Sequence, residues 1–471
     1  MSIGIVWFRA DLRLSDNPAL YAASQSCDTI IPVFIDDTHS NTLNPLGAAS
    51  RAWLHHSLQQ LQHSLAQHGS TLILRQGSAL ETLSDIIKSS GATQVFWNRL
   101  YDPISTQRDT QIKQTLSTLV SVQSFNSSLL FEPWQILKAD KSPYKVFTAY
   151  WKQVLQQGIN HPLTPNPLHI NPPPVLPHSL KLNNLQLLPS KPRWDEAMMQ
   201  HWQVGEAAAH QQLEYFLTHG VAHYSINRDR PDLIGTSKLS PHLHFGELSP
   251  RQIIHATTHY KSTHPEWSAD LLKFESEVGW REFGYYLLYH FPQTTTEPLD
   301  QRFKQFPWRS PSEYAADLKR WQQGTTGFPI VDAGMRQLWQ TGWMHNRVRM
   351  IVASFLTKNL LIPWQAGEAW FRDTLVDADL ASNVLGWQWT AGCGADAAPY
   401  FRIFNPITQG EKFDPDGAYV KTYVPELKGR NAKVIHAPRQ LGEHYAYPLP
   451  IVDLAASRAR ALAAFDAIKI K

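Results

Sequence analysis

The chain opens with short apolar, β-branched runs that alternate with segments of helical spacing. Ile3–Phe8, Thr29–Ile35, Thr71–Leu74 and Thr93–Trp97 each set several apolar residues in a row, the pattern of parallel strands buried on both faces. Between them, Ser50–Gln67 and Ala79–Ser90 place apolar residues three and four apart, as a helix with one buried face requires. This β-α-β-α order predicts a doubly wound parallel sheet with right-handed crossovers, an α/β domain over residues 1–131. No G-x-G-x-x-G follows the first strand and there is no P-loop, so a dinucleotide site of that kind is not expected here.

The pattern then changes. Residues 132–199 read as a connector, and from about Pro162 to Pro192 proline recurs too often for helix or strand. From about Gln200 the spacing is helical to the end. Glu206–Leu217, Pro250–Thr258, Leu271–His290, Val331–Gly342, Asn346–Leu361 and Ala366–Leu375 all show it. The second half, 200–471, is therefore expected to be a large, mainly α domain. A length of 471 residues agrees, since it exceeds what one ordinary core organises.

Composition narrows the function. A net charge of +3 and a pI near 8.6 permit a nucleic-acid surface only as a local patch. The two cysteines, Cys27 and Cys393, exclude a disulfide framework and a four-cysteine metal or iron–sulfur site, and fit a reducing compartment. The N-terminus lacks a signal-peptide layout and no apolar run reaches membrane-spanning length, so a cytoplasmic protein is expected. The 17 tryptophans are out of proportion: they describe either a Trp-rich core or a site that uses indoles for stacking or electron transfer.

Four segments carry the candidate chemistry. In Gly235–Gln252 a Gly-Thr-Ser turn leads toward a helix, which offers hydroxyls and N–H groups to a phosphate; a capped helix start explains the same residues. In Phe274–Phe283, Glu277, Trp280 and Arg281 fall on one helical face and suit a nucleotide, or a salt-bridged surface helix. In Thr341–Leu356, Asn346, Arg349 and Met350 share a face while Arg347 points elsewhere. An internal partner for Arg349 is available at Asp377, with Asp379 and Asn383 close by in sequence. In Gly386–Pro406, Trp387 and Trp389 flank a Gln, and glycines follow.

These segments, taken in order with the opening VWFRADLRLSDNPAL and with FRIFNPITQGEKFDPDGAYVKTYVPEL, resemble the photolyase/cryptochrome family over nearly the whole chain. Within it they are most similar to bacterial cyclobutane pyrimidine dimer photolyases. The resemblance implies a helical domain that binds a U-shaped flavin adenine dinucleotide (FAD). Tyr224, Thr236, Ser237, Lys238, Leu239 and Ser240 match positions around its phosphates and ribityl chain. Phe274, Trp343, Asn346, Arg349, Asp377, Ala378, Asp379 and Asn383 match the rest of the flavin pocket, with Asn383 opposite N5. Trp280 and Trp389 match two indoles that enclose a flipped-out dimer. Glu277, Asn346 and Met350 match its floor, and Arg228, Arg281, Arg347 and Arg402 match phosphate contacts. Photolyases are among the enzymes that take their target out of the stack. Trp308, Trp364 and Trp387 match an electron path to the flavin.

The implied reaction is light-driven electron transfer from reduced FAD to the dimer, with Glu277, Asn383 and the three indoles as catalytic positions and no metal. The implied partner is dimer-containing DNA; a monomer, associated with the nucleoid in a prokaryote, is expected. Two other functions remain open at this point. Repair of (6-4) photoproducts goes with a histidine pair where this chain has Asn346 and Met350. Cryptochrome signalling often goes with a long C-terminal extension, whereas this sequence ends at Lys471 soon after its final helix; plant cryptochromes also carry Asp at the Asn383 position. A second, antenna chromophore is expected, a folate such as methenyltetrahydrofolate or a deazaflavin. Ile104-Ser105 stand where folate-binding relatives often carry Asn-Glu, and a Thr-rich stretch after His290–Pro292 replaces their Cys-Lys pair.

Overall fold

The computed structural model describes residues 2–37, 45–163, 170–397, 401–438 and 447–469. The chain forms two compact units. The first comprises Met1–Tyr144, Thr148–His219 and Ser237–Pro292; the second comprises Lys145–Phe147, Gly220–Thr236 and Gln293–Lys471.

The first unit contains a five-stranded, all-parallel sheet in the order β3-β2-β1-β4-β5. Its strands are β1 Ile3–Phe8, β2 Thr29–Asp36, β3 Ile73–Gln76, β4 Gln94–Asn98 and β5 Ser121–Phe125. Every residue of β2 is buried, as a parallel strand covered on both faces must be. Four strands fall where the apolar runs predict them, although β3 starts at Ile73 rather than Thr71. The unexpected fifth, SVQSF, lies at the edge and stays partly exposed, so it has no apolar run to announce it. At the opposite edge the proline-rich connector supplies pairing that a strand would otherwise offer to solvent. Leu180 N donates to Leu74 O at 2.8 Å, and Leu74 N donates to Ser179 Oγ at 2.9 Å. Connector residues 164–169 lie outside the described residues.

Four helices connect these strands: α1 Pro18–Ser26, α2 Ala48–Gln67, α3 Ala79–Ser90 and α4 Pro103–Leu116. Leu83 and Ile86 of α3 and Ile112 and Leu116 of α4 pack with Trp7, Val33, Val95 and Trp97 of the sheet. α1 and α4 begin on Asn17-Pro18 and Asp102-Pro103, with the Asn or Asp side chain capping the helix. At the carboxyl ends of β1 and β4 the polar side chains bond one another. Asn98 Nδ2 donates to Asp11 at 2.6 Å and to Asn17 at 2.8 Å, and Arg9 pairs with Asp109. A long helix, α5 Ser268–His290, belongs to the same unit.

The second unit is helical, including α6 Pro329–Thr341, α7 Asn346–Ser354, α8 Trp364–Thr374 and α9 Leu380–Ala391. Trp321, Trp364, Phe371, Trp387, Met344 and Val352 are part of one buried apolar cluster. The single helix predicted over Asn346–Leu361 is not continuous: it widens into a π-helical turn at Phe355–Asn359, and Leu361 takes a left-handed backbone, φ 51°. Among the described residues no helix is long and apolar enough to cross a membrane, and no cluster of His, Cys, Asp and Glu could hold a metal.

Candidate active site

The expected site residues fall on both units. In the first, α5 brings Phe274, Glu277, Trp280 and Arg281 onto consecutive turns. Phe274 is buried against Phe216, ring centroids 4.5 Å apart. Glu277 pairs with Lys273 at 3.2 Å, and Trp280 meets the edge of Phe283. Arg281 is engaged with its own unit: it donates to Ser128 O at 2.6 Å and its guanidinium lies over the Tyr285 ring. Next to it Glu282 is fully buried and accepts from Leu130 N at 2.8 Å. Burial outweighs the neighbouring Arg281 charge and pushes the Glu282 carboxyl from 4.5 up to about 8.

The folded state therefore holds a proton that the unfolded chain lacks between those two values, so stability falls as pH rises through that window. Glu282→Gln, a neutral isostere, is expected to flatten this dependence, while the wild-type melting midpoint drops several degrees between pH 5 and 8. Parallel midpoint curves for the two proteins would contradict the assignment.

The segment Ser237–Ser240 also lies on the first unit. It leads into a five-residue helix, Ser240–His244, whose N-cap is Leu239 and which has no side-chain cap. The capping explanation for its hydroxyl residues is thus not realised. Lys238 has a left-handed backbone, φ 53°.

In the second unit, Arg349 meets Asp377, the internal anion the sequence offers it. Arg349 Nη2 donates to both Asp377 carboxylate oxygens, at 3.0 and 2.8 Å, and Nε donates to Met344 O at 2.7 Å. The guanidinium lies 5.8 Å from the centroid of the Trp343 ring. His345 caps α7: its Nδ1 accepts from Arg347 N at 3.2 Å. Burial holds this imidazole down to about 4, so it stays neutral and able to accept. Arg347 reaches Asp229 at 2.8 Å and Met350 Sδ at 3.7 Å, nearer the shared face than its position in the helix suggests. Asn346 is exposed and Met350 half-buried. Arg228 lies over Tyr224, 5.7 Å from the ring centroid. Thr236 is half-buried, and Ala378 packs against the apolar cluster.

Asp379 caps α9 by accepting from Ser382 N at 2.9 Å, which fixes where Asn383 projects. Asn383 Nδ2 donates to Glu368 Oε1 at 2.9 Å and Glu368 O at 3.2 Å; Glu368 in turn accepts from Arg372 at 2.9 Å. With its nitrogen committed, Asn383 presents Oδ1 as an acceptor that no donor meets among the described residues. Burial raises the Glu368 carboxyl, against the opposing pull of Arg372.

Between Trp387 and Trp389, Gln388 ties down the chain. It donates to Thr294 O and Glu297 O, both at 2.8 Å, and accepts from Leu299 N at 2.9 Å. Trp387 is buried edge-on to Phe371, centroids 5.0 Å apart, and near Trp321. Trp389 is half-buried, its Nε1 donating to Asp396 O at 3.1 Å. Trp364 is buried, and Trp308 is partly buried against Phe306, centroids 4.4 Å apart. Gly367 leaves the Trp387 ring its place: a Cβ there would lie 2.0 Å from Cη2. Gly367→Ala is expected to displace the indole and cost about 1–3 kcal/mol. Tryptophan near-ultraviolet circular dichroism and the melting midpoint read both effects; an unchanged spectrum and midpoint would contradict the packing.

Comparison with known sequences decides the family. Residues 274–467 match the family model described as the FAD binding domain of DNA photolyase, and residues 4–169 match the DNA photolyase model. A deoxyribodipyrimidine photo-lyase of Agrobacterium fabrum is 48% identical across 99% of this chain and 98% of its own length. The chain belongs to the DNA photolyase family. The crystal structure of a bacterial class III photolyase from Agrobacterium tumefaciens superposes with a TM-score of 0.93 at 47% identity, covering 100% of this chain and 98% of that one. Cryptochrome-2 of Arabidopsis thaliana is also related, 38% identical across 96% of this chain and 77% of its own length.

As a photolyase-family protein, the chain carries an FAD-binding domain, and the second unit's donor set fits a flavin. The partly exposed Arg349 cation and the open Asn383 Oδ1 are complementary to a ring system with anionic and N–H-bearing edges. Sequence reasoning missed Glu368 and Arg372, the pair that orients Asn383. Their i, i+4 spacing in EAWFR is the only signal they give, and surface helices share it.

Proposed function

We propose that the protein repairs cyclobutane pyrimidine dimers in DNA. The single observation that carries this reading is the full-length 48% identity to a deoxyribodipyrimidine photo-lyase, supported by Asn at 346 and Met at 350. When bound in its reduced form, FAD would supply the light-driven one-electron chemistry that opens the dimer. The chain positions, shields and tunes.

In this reading Tyr224, Thr236, Ser237, Lys238, Leu239 and Ser240 hold the phosphates and ribityl chain. Phe274, Trp343, Asn346, Arg349, Asp377, Ala378, Asp379 and Asn383 surround the ring. Asn383, held by Glu368, would present its carbonyl oxygen to the flavin ring and stabilise its reduced form without donating a proton. Trp280 and Trp389 stack on the extruded dimer over Glu277, Asn346 and Met350. Arg228, Arg281, Arg347 and Arg402 act on the phosphate backbone, Arg281 chiefly by fixing local structure, since its donors already meet carbonyls of its own unit. Trp308, Trp364 and Trp387 relay electrons to oxidised flavin.

The domain division at 131 and 199, a folate or deazaflavin antenna, a cytoplasmic monomer and association with the nucleoid belong to the same proposal. Binding in the dark tests the substrate assignment. A dimer-containing oligonucleotide is expected to bind far tighter than the undamaged strand, and Trp280→Ala to lose about 1–3 kcal/mol of that preference, the worth of one stacked base. Equal affinity for damaged and undamaged strands would count against repair and for signalling.

A further inference from the structure

Lys358 has no role in the reading above, and its surroundings are unusual for a lysine. It sits on the wide turn Phe355–Asn359 and is only 1% exposed. Among the described residues no carboxylate or hydrogen-bond acceptor meets its Nζ, which lies 3.1 Å from the centroid of the Phe401 ring. Burial holds its pKa well below the ordinary lysine value, and the nearby Cys393 thiol, itself pushed up to about 12, stays neutral and supplies no counter-charge. A buried cation left on these terms is costly unless an anion arrives from outside.

There is a place for one. Lys358 lines a pocket together with Ser354, Trp389, Thr390, Gly392 and Arg402. Gly392 takes a left-handed backbone, φ 87°, and a Cβ at that position would come within 3.2 Å of the lysine nitrogen. Arg402 is exposed and has no acidic partner among the described residues. The pocket thus gathers an arginine, a lysine amine whose charged form burial disfavours until an anion joins it, two hydroxyls and an indole, with no acidic group in its lining.

We propose that this pocket is a phosphate subsite, in which Lys358 and Arg402 together hold one phosphodiester of the DNA strand beside Trp389. The assignment rests on the repair reading, which places Trp389 against the dimer. It adds a buried ammonium to a surface arginine, so that a strand is gripped at one defined point rather than by diffuse surface charge.

The test uses the FAD-loaded protein and a single-stranded oligonucleotide with one thymine dimer, titrated over a range of salt concentrations. Lys358→Met and Arg402→Gln are each expected to weaken binding roughly tenfold. Each should also lower the log–log salt slope by about 0.7, the share of one phosphate contact on a single strand. The double variant should lose little more than either single one, and Lys358→Arg should keep most of the affinity. Wild-type slope and affinity in both single variants would overturn the subsite while leaving the repair reading intact. A wild type that binds no dimer-containing strand would overturn both. Should Lys358→Met fail to load flavin, a methylphosphonate placed at each phosphate flanking the dimer replaces it. The position that weakens the wild type is expected to cost Arg402→Gln much less; equal cost at every position would overturn the subsite.

Discussion

Trp387→Phe is expected to abolish light-driven reduction of the bound flavin while leaving the fold as stable as before. The two halves of this expectation have separate causes. Trp387 is 2% exposed, and its indole N–H finds no acceptor in the described structure. A buried donor without a partner is a liability of about 1–3 kcal/mol that a phenyl ring removes, which offsets the packing the smaller ring gives up. Stability alone therefore gives no reason for tryptophan here, and the indole's ready oxidation does. Its neighbours, Phe371 edge-on and Gly367 cut back to clear the ring, fix its orientation. The measurement is the absorbance change of oxidised flavin under blue light with an external reductant, alongside a melting curve. Loss of photoreduction with an unchanged midpoint is the expected result. Rapid photoreduction in the variant would remove Trp387 from the electron path. Repair after chemical reduction of the flavin should survive, because that route does not use the relay.

Arg349→Met is expected to be the most damaging single change to the folded flavin domain. It strands the Asp377 carboxylate, whose side chain is 2% exposed and whose two oxygens both accept hydrogen bonds from Arg349 Nη2. Removing one partner of a fully buried pair typically costs about 3–5 kcal/mol; here the carboxylate is buried and the guanidinium partly exposed, so the cost is expected toward or below the lower end of that range. The same change removes the bond to Met344 O and the cation beside Trp343, so flavin retention should fall with stability. Adding Asp377→Asn to the variant removes the stranded charge and should recover part of the melting midpoint without recovering the flavin. A single variant that melts with the wild type and keeps its flavin would contradict the account.

Much of this architecture is legible in the sequence because the physical signals are local. Buried parallel strands need apolar runs, and β1, β2 and β4 have them. β5 does not: an edge strand with its side chains half in water carries no such run. α1 and α4 follow polar, proline-marked starts, and α4 buries little beyond Asp109, Ile112 and Leu116, so apolar spacing alone gives it no weight. The Arg349–Asp377 pair is readable because an arginine set beside apolar and amide side chains on a helical face requires an anion, and Asp377 is at hand. The break of the helix after Ser354 is not, because a π-helical turn has no distinct spacing. Lys358, carried on that turn, reads as a surface residue until its burial is seen. The Asn383–Glu368–Arg372 chain joins two helices, α8 and α9, that only packing brings together.

The central claim is tested most directly by illumination. Protein with full flavin occupancy, reduced in the absence of oxygen, is mixed with an oligonucleotide containing one cis-syn thymine dimer and exposed to blue light. The dinucleotide products are then resolved by chromatography. The account predicts that intact thymines reappear in proportion to the light absorbed, and that none appear in the dark or with a (6-4) photoproduct. Dimers that persist under illumination of fully reduced, DNA-bound protein would contradict it.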